Sequence, residues 1–143
     1  MTIRNMTEKD IPKAAAVDAK AFNKPWGSMS FADEIEKDYA HYFVCEDETE
    51  IIGYVGIWCL YETAELIRIA VNPSRQQNGV GSILMTEILN CARDCGCERM
   101  LLEVHAENTP AQSLYSKFGF SEISVRKGYY DGADARIMEK KLV

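Results

Sequence analysis

The sequence predicts one α/β domain over residues 1–143, built on a mixed sheet. Three observations carry that expectation. Runs rich in Ile, Val and aromatic residues at 42–46, 51–60 and 65–71, separated by polar turns, read as consecutive strands. After Gly79-Val80-Gly81, the apolar positions Val80, Ile83, Leu84, Ile88, Cys91, Ala92 and Cys95 share one face of a helix that Gly96 ends. A further buried strand, 99–104, follows directly, so the β-α-β unit from 65 to 104 should make a right-handed parallel crossover.

The remaining elements follow in order. Thr2 to Met6 reads as a short strand. Ile11, Ala14, Val17 and Ala21 recur at helical spacing, with Thr7 before them as a cap and Pro12 tolerated only in the first turn. Asn23 to Gly27, with Pro25 and Trp26, breaks the chain before a second short helix opening at Ser30. Asn72-Pro73-Ser74 ends the third strand of the central run. Asn108 or Thr109 caps a helix that has Pro110 in its first position and stops at Gly119. Strands at 120–126 and 136–142 close the chain.

Composition narrows the function. The net charge is −6 and no Lys/Arg run exists, which argues against a protein that tracks nucleic-acid phosphates. The longest uncharged apolar run, 51–61, is well short of the roughly 18 residues that suggest a membrane span. The N-terminus lacks a basic-then-apolar leader, and the five cysteines are an odd number, so a cytoplasmic protein with reduced thiols is expected. Cys91 and Cys95 read as packing residues on the apolar helix face and His41 as a surface residue, so no metal is expected.

The segment Gln76-Gln77-Asn78-Gly79-Val80-Gly81-Ser82 lies between a strand and a helix N-terminus. Unpaired N–H groups and the positive end of the helix dipole favour an anion there, and glycine lets a phosphate approach the backbone. A Gly-Lys-Ser/Thr ending is absent, and Leu84 stands where a dinucleotide turn would need its third glycine. The turn alone is equally compatible with a plain strand-to-helix connection.

Together with Ile69-Ala70-Val71-Asn72-Pro73, the Gln76-x-x-Gly79-x-Gly81 pattern resembles the acetyl-CoA signature of the GNAT N-acetyltransferases. The resemblance continues through Leu102 to Asn108 and through Ala111-x-x-Leu114-Tyr115-x-x-x-Gly119-Phe120. Phe22-x-x-Pro25-Trp26, Phe31, the Glu103/Tyr115 pair and Tyr129-Tyr130 are more narrowly similar to the RimI type, which acetylates the N-terminal alanine of protein eighteen of the small ribosomal subunit. The resemblance implies a mostly antiparallel sheet with a central parallel pair, 65–71 and 99–104, splayed to admit the pantetheine arm. It implies backbone contacts to that arm from Ile69, Ala70 and Val71, an oxyanion-hole N–H near Ala70 or Val71, and pyrophosphate contacts from Gln76, Gln77, Asn78, Gly79, Val80, Gly81 and Ser82. A further coenzyme contact falls to Asn108, and no metal takes part.

The chemistry needs a base for the incoming ammonium and an acid for the departing thiolate. Along the strand, Leu101, Glu103 and His105 face one side, and a carboxylate on a strand between covering helices wants a reason. The resemblance makes Glu103 the general base and Tyr115 the acid; by pattern alone Tyr115 belongs to a packing stripe with Ala111, Leu114 and Phe118. Trp26, Phe31, Tyr129 and Tyr130 would grip an extended peptide, and Glu107, Asp131 and Asp134 would attract basic side chains. Arg75, Asn78, His105 and Glu107 depart from the family pattern. The expected partner is a protein N-terminus, ribosomal by the resemblance. A small amine such as a polyamine or aminoglycoside, a lysine side chain, and a non-catalytic acyl-CoA sensor stay open as alternatives.

Overall fold

A computed structural model describes residues 1–130 and 132–143; Asp131 lies outside the described residues. The elements are β1 (Thr2–Asn5), α1 (Ile11–Ala21), α2 (Ser28–Ile35), β2 (Ala40–Asp47), β3 (Glu50–Leu60), β4 (Thr63–Val71), α3 (Val80–Asp94), β5 (Arg99–His105), α4 (Thr109–Lys117), β6 (Ser121–Tyr130) and β7 (Ala133–Lys141). They form a seven-stranded sheet in the order β1-β2-β3-β4-β5-β7-β6. Only β4 and β5 pair in parallel, joined by α3 as the crossover; every other neighbouring pair is antiparallel.

Period-2 alternation splits the sheet's side chains between two cores. One face carries Val55, Ile57, Leu66, Leu102 and Val104, covered by Leu84, Met85 and Ile88 of α3 and Tyr115 of α4. The other carries Tyr42, Val44, Tyr54 and Ala70, covered by Ala14 and Val17 of α1 and Phe31 of α2. Full burial of Leu84 and Ile88 contributes about 1.5–3 kcal/mol each. No helix among the described residues is long and apolar enough to cross a membrane.

The termini of the helices show how the sequence punctuates itself. Thr7 does not cap α1 directly. It precedes a 3-10 turn, Glu8–Asp10, and its N–H and hydroxyl donate to the Asp10 carboxylate at 2.8 and 3.1 Å. That carboxylate also takes both ends of the Arg4 guanidinium at 2.8 Å, which holds it down at about 2. Pro12 sits in the first turn of α1, and Asn108 caps α4 by accepting from the Ala111 N–H at 3.2 Å. The second helix begins two residues earlier than Ser30, with Gly27 as its cap.

Gly56 is fixed by a close approach. A Cβ added there would lie 2.1 Å from the Tyr42 ring, and that ring cannot swing aside because its hydroxyl donates to Glu34 Oε1 at 2.6 Å. The Trp58 indole N–H donates to the same oxygen at 2.9 Å, and Lys37 pairs with the other. Gly56→Ala is therefore expected to lower stability by about 1–3 kcal/mol, the usual range for an overfilled core. A urea denaturation midpoint shifted down at unchanged slope would show it, and an unshifted midpoint would mean that the ring is free to move.

Candidate active site

The site begins where a strand pair fails. β4 and β5 share only three paired positions, Thr63↔Arg99, Ala64↔Met100 and Glu65↔Leu101. Beyond them β4 stays with β3 as far as Val71, while β5 stays with β7 as far as His105. The register of β3 against β4 steps between Gly56↔Arg68 and Ile57↔Leu66, which leaves Ile67 as an extra residue. Such a bulge bends and twists its strand. It falls two residues after the last β4–β5 pair, so β4 turns away from β5 there and opens a gap.

The gap exposes backbone. The Asn72 N–H donates to the Ile52 carbonyl at 2.8 Å, which makes 72 and 52 a hydrogen-bonded pair. Antiparallel alternation then turns the amide of Ala70 to Tyr54 and those of Ile69 and Val71 to the open side. The amides of Ile69 and Val71 thus face the gap, while the Ala70 N–H is committed to the sheet, so of the two positions expected to offer an oxyanion-type donor only Val71 turns its N–H to the open side.

At the end of the gap, Asn72 accepts from the Ser74 N–H and hydroxyl at 3.1 and 3.0 Å, closing a 3-10 turn over Pro73–Arg75. Gln76, Gln77 and Asn78 follow, exposed, with Gln77 at φ 68°. Gly79 caps α3 in the left-handed region, φ 82°, with open space where a Cβ would be. The first α3 amides, Val80, Gly81 and Ser82, precede the Ile83 N–H, which makes the first bond back to the Gly79 carbonyl at 3.1 Å. Gly81 has a packing reason besides the one expected. A Cβ there would lie 3.2 Å from Leu114, so its small size lets α4 lie against α3. Asn108 stands at the start of α4, its carboxamide oxygen engaged in the cap.

Glu103 leaves β5 away from the α3/α4 core, whereas the Tyr115 ring packs within that core with its phenol in electrostatic reach of Tyr130. Leu102 and Val104 point into the α3/α4 core, and Tyr115 is buried in that same core, so Glu103 points the other way. No helix covers it there, contrary to the doubly covered strand expected: β5 alternates buried and half-buried, and the Glu103 side chain is 29% exposed. Arg126 Nη1 of β6 donates to Glu103 Oε1 at 2.5 Å and lies over the Tyr129 ring, 4.6 Å from its centre. Tyr130 stacks on His105 at 4.9 Å and meets Tyr129 edge-on at 5.0 Å. The Tyr130 phenol is pushed up, first by lost hydration and then by the Glu103 charge.

A second carboxylate belongs here that sequence reasoning missed. Glu65, at the last β4–β5 pair, is pushed up by partial desolvation and by repulsion from Glu103. Its alternation with Ala64 and Leu66 puts it on the Glu103 face. Nothing in the local pattern of a Thr-Ala-Glu-Leu run distinguishes it from a solvated strand residue.

On the opposite face the Tyr115 ring is 6% exposed, meets Phe120 at 6.1 Å, and has its phenol pushed up to about 12 by burial. The packing reading of Tyr115 is thus met by its ring, which lies in the core with Leu114 and Phe118 beside it.

The Trp26 side of the site rests on a buried ion pair that no sequence signal announced. Asp18 is fully buried and accepts from Arg68 Nε at 2.7 Å and Nη2 at 3.1 Å, from the Tyr54 hydroxyl, and from the Trp26 backbone N–H at 2.6 Å. The Arg68 guanidinium lies over Phe22 at 4.0 Å and Trp26 at 4.7 Å. Phe31 is fully buried, edge-on to both Trp26 and Tyr54, so the peptide contact expected of Phe31 falls to Trp26, which it props from beneath.

Comparison with known proteins agrees with this architecture. The model of the Acetyltransferase (GNAT) family matches residues 11–120. A Bacillus subtilis (strain 168) relative, provisionally named a ribosomal protein bS18-alanine N-acetyltransferase, is 37% identical over 139 residues, covering 95% of this chain and 92% of its own. The N-alpha-acetyltransferase RimI of Mycobacterium tuberculosis is 32% identical over 98% of this chain and 92% of its own. The crystal structure of the ribosomal-protein-S18-alanine N-acetyltransferase from Escherichia coli superposes with a TM-score of 0.92 at 29% identity, covering 99% and 93% of the two chains. This chain belongs to the GNAT acetyltransferase family and is a RimI-like N-acetyltransferase.

Proposed function

We propose that the protein moves the acetyl group of acetyl-CoA to the N-terminal α-amine of a protein by direct attack in a ternary complex, with the N-terminal alanine of ribosomal protein bS18 as the acceptor. One observation carries the reading. The gap between β4 and β5 has a carboxylate on one face, a phenol on the other and two unspent strand amides along its edge. The relatives named above support the choice of acceptor.

The residues present fit the coenzyme. Ile69 and Val71 offer an edge to which an extended amide-bearing arm adds as a strand would. The α3 amides and the open Gly79 turn suit a diphosphate. The coenzyme supplies the acetyl thioester; the protein's task is to place it and manage two protons. Glu103, directly or through water, takes one from the ammonium. The amine nitrogen then bonds to the acyl carbon, whose oxygen faces the Val71 N–H. As the carbon–sulfur bond breaks, the Tyr115 hydroxyl would give its proton to the sulfur, and the second proton of the nitrogen would leave through water to restore the phenol, so that the amide ends neutral.

Magnitudes favour an α-amine. Its pKa of about 7.7–8.0 lies roughly 2.5 units below that of lysine, which is about 3.4 kcal/mol less work for the base. Glu103 stands half-buried beside the Arg126 guanidinium, a lone carboxylate for which the easier of the two deprotonations is the better match. Trp26, Tyr129 and Tyr130 supply the flat apolar surface that a short peptide needs.

A panel of peptides with free α-amines, lysine peptides blocked at the N-terminus, and small amines tests the acceptor. Acetylation confined to the free α-amines, strongest for the bS18 N-terminal sequence, is expected; equal turnover of polyamines or blocked peptides would overturn it. Glu103→Gln should lower turnover by roughly 10²–10⁴ with coenzyme affinity near normal, and unchanged turnover across pH would remove Glu103 as the base.

Tyr115 makes a pH prediction. A phenol held up at about 12 bears its proton at every lower pH, so the group adds no falling limb to the wild-type profile between neutrality and about pH 10. Tyr115→Phe should lower turnover at all those pH values alike while leaving the melting temperature within a few degrees. A turnover equal to wild type would return the ring to a packing role.

A further inference from the structure

The cysteines read as packing residues converge with a histidine far from the acetyl-transfer site. Cys91 and Cys95 stand one turn apart at the end of α3, and His41 comes from the start of β2. The two sulfurs and a His41 ring nitrogen lie within 4.8 Å of one another, with Cys95 Sγ and His41 Nε2 at 3.6 Å. Cys59, near the end of β3, interacts with both Cys91 and Cys95 through its thiol. Its N–H donates to the Tyr39 carbonyl at 2.8 Å, which ties the end of β3 to the approach of β2.

We propose that His41, Cys91 and Cys95 bind a thiophilic divalent cation of the zinc class.

The donor set and its spacing select that cation. Zinc–sulfur bonds of about 2.3 Å and zinc–nitrogen bonds of about 2.0–2.1 Å place tetrahedral ligand atoms roughly 3.5–3.8 Å apart. The Cys95–His41 separation already meets that value, and the remaining contraction falls within side-chain rotation. Two thiolates and an imidazole are soft donors that magnesium or calcium would not choose. The backbone adds its own field. Cys95 is the C-cap of α3 and Gly96 follows at φ 82°, so the helix ends at the cluster with its carbonyl pole toward the cation. Cys95 is exposed, which gives the ion a path in.

The position assigns a structural role. Fifteen helical residues at about 1.5 Å each separate the cluster from the Gly79 turn by roughly 22 Å. The cation would pin the far end of α3 to the start of β2. Each thiol yields its proton to solvent as its sulfur binds.

Tag-free, reduced protein stripped by a chelator and titrated with Co²⁺ tests the site. One equivalent should bind with thiolate-to-cobalt charge-transfer absorption and tetrahedral visible bands, and Zn²⁺ should displace it. Free Zn²⁺ about a hundredfold above its dissociation constant should raise the melting midpoint by roughly 5–10 °C. Cys95→Ser and His41→Ala, both at accessible positions, should each weaken binding by about tenfold or more and leave the metal-free melting midpoint near wild type. Absence of saturable one-to-one binding by the reduced protein would overturn the site. So would equal affinity in both variants, or cysteines that stay metal-free and close a disulfide in air.

Discussion

A backbone that loses its strand partner must find another, and this fold is arranged around one place where it has not. The extra residue at Ile67 turns β4 off the path of β5 after three pairs. Each unspent N–H and C=O on the edge of Ile69 and Val71 is one that water satisfies and an extended ligand satisfies equally well. The cost of the lost ladder is carried by its neighbours. β4 keeps its pairing to β3 through Val71, and β5 runs all seven of its residues against β7. The opening is therefore held at both sides by intact sheet, and its width does not depend on loops.

Splitting the sheet also splits the proton traffic. A carboxylate and a phenol on adjacent positions of one surface would hydrogen-bond to each other and leave neither free for substrate. Alternation along β5 puts Glu103 on the face that water and an acceptor peptide reach, while α4 carries Tyr115 into the opposite core. Burial keeps the phenol protonated, and the same loss of water raises the proton affinity of a thiolate released beside it. On the other side, the Glu103 carboxylate is half-buried and held by the Arg126 guanidinium.

The elements were legible because each is written in local chemistry. Pro12 and Pro110 sit in first turns, Gly96 and Gly119 end helices at positive φ, and the strands follow runs of Ile and Val. The parallel crossover followed from element order alone. What was not legible depends on residues distant in the chain. Nothing near Arg68 reveals that Asp18, fifty positions away, waits beneath it. A buried Phe31 under Trp26, the leaning of Leu114 on Gly81, and the turning of the Ala70 amide into the sheet are properties of packing and register, not of motif. The cysteines illustrate the point most sharply. A pair spaced by four along a helix looks the same whether the facing surface is apolar or holds another thiol and an imidazole, and only the placement of Cys59 and His41 on adjoining strands decides it.

The third helix links these observations. Its middle is locked to the sheet by Leu84, Met85 and Ile88, none of which is exposed, so it behaves as a rod whose two ends move together. Its first turn presents amides and the positive pole of the dipole to the turn at Gly79; its last turn presents carbonyls and two thiols to His41. The same macrodipole thus favours an anion at one end and a cation at the other. A cross-link at the far end would resist rotation of the rod about its own axis, the motion that core packing opposes least because the apolar stripe is only one face wide. Such a rotation would move the Val80 to Ser82 amides relative to the open edge of β4, so the proposed cross-link at the C-terminal end would also hold the N-terminal turn in register with that edge.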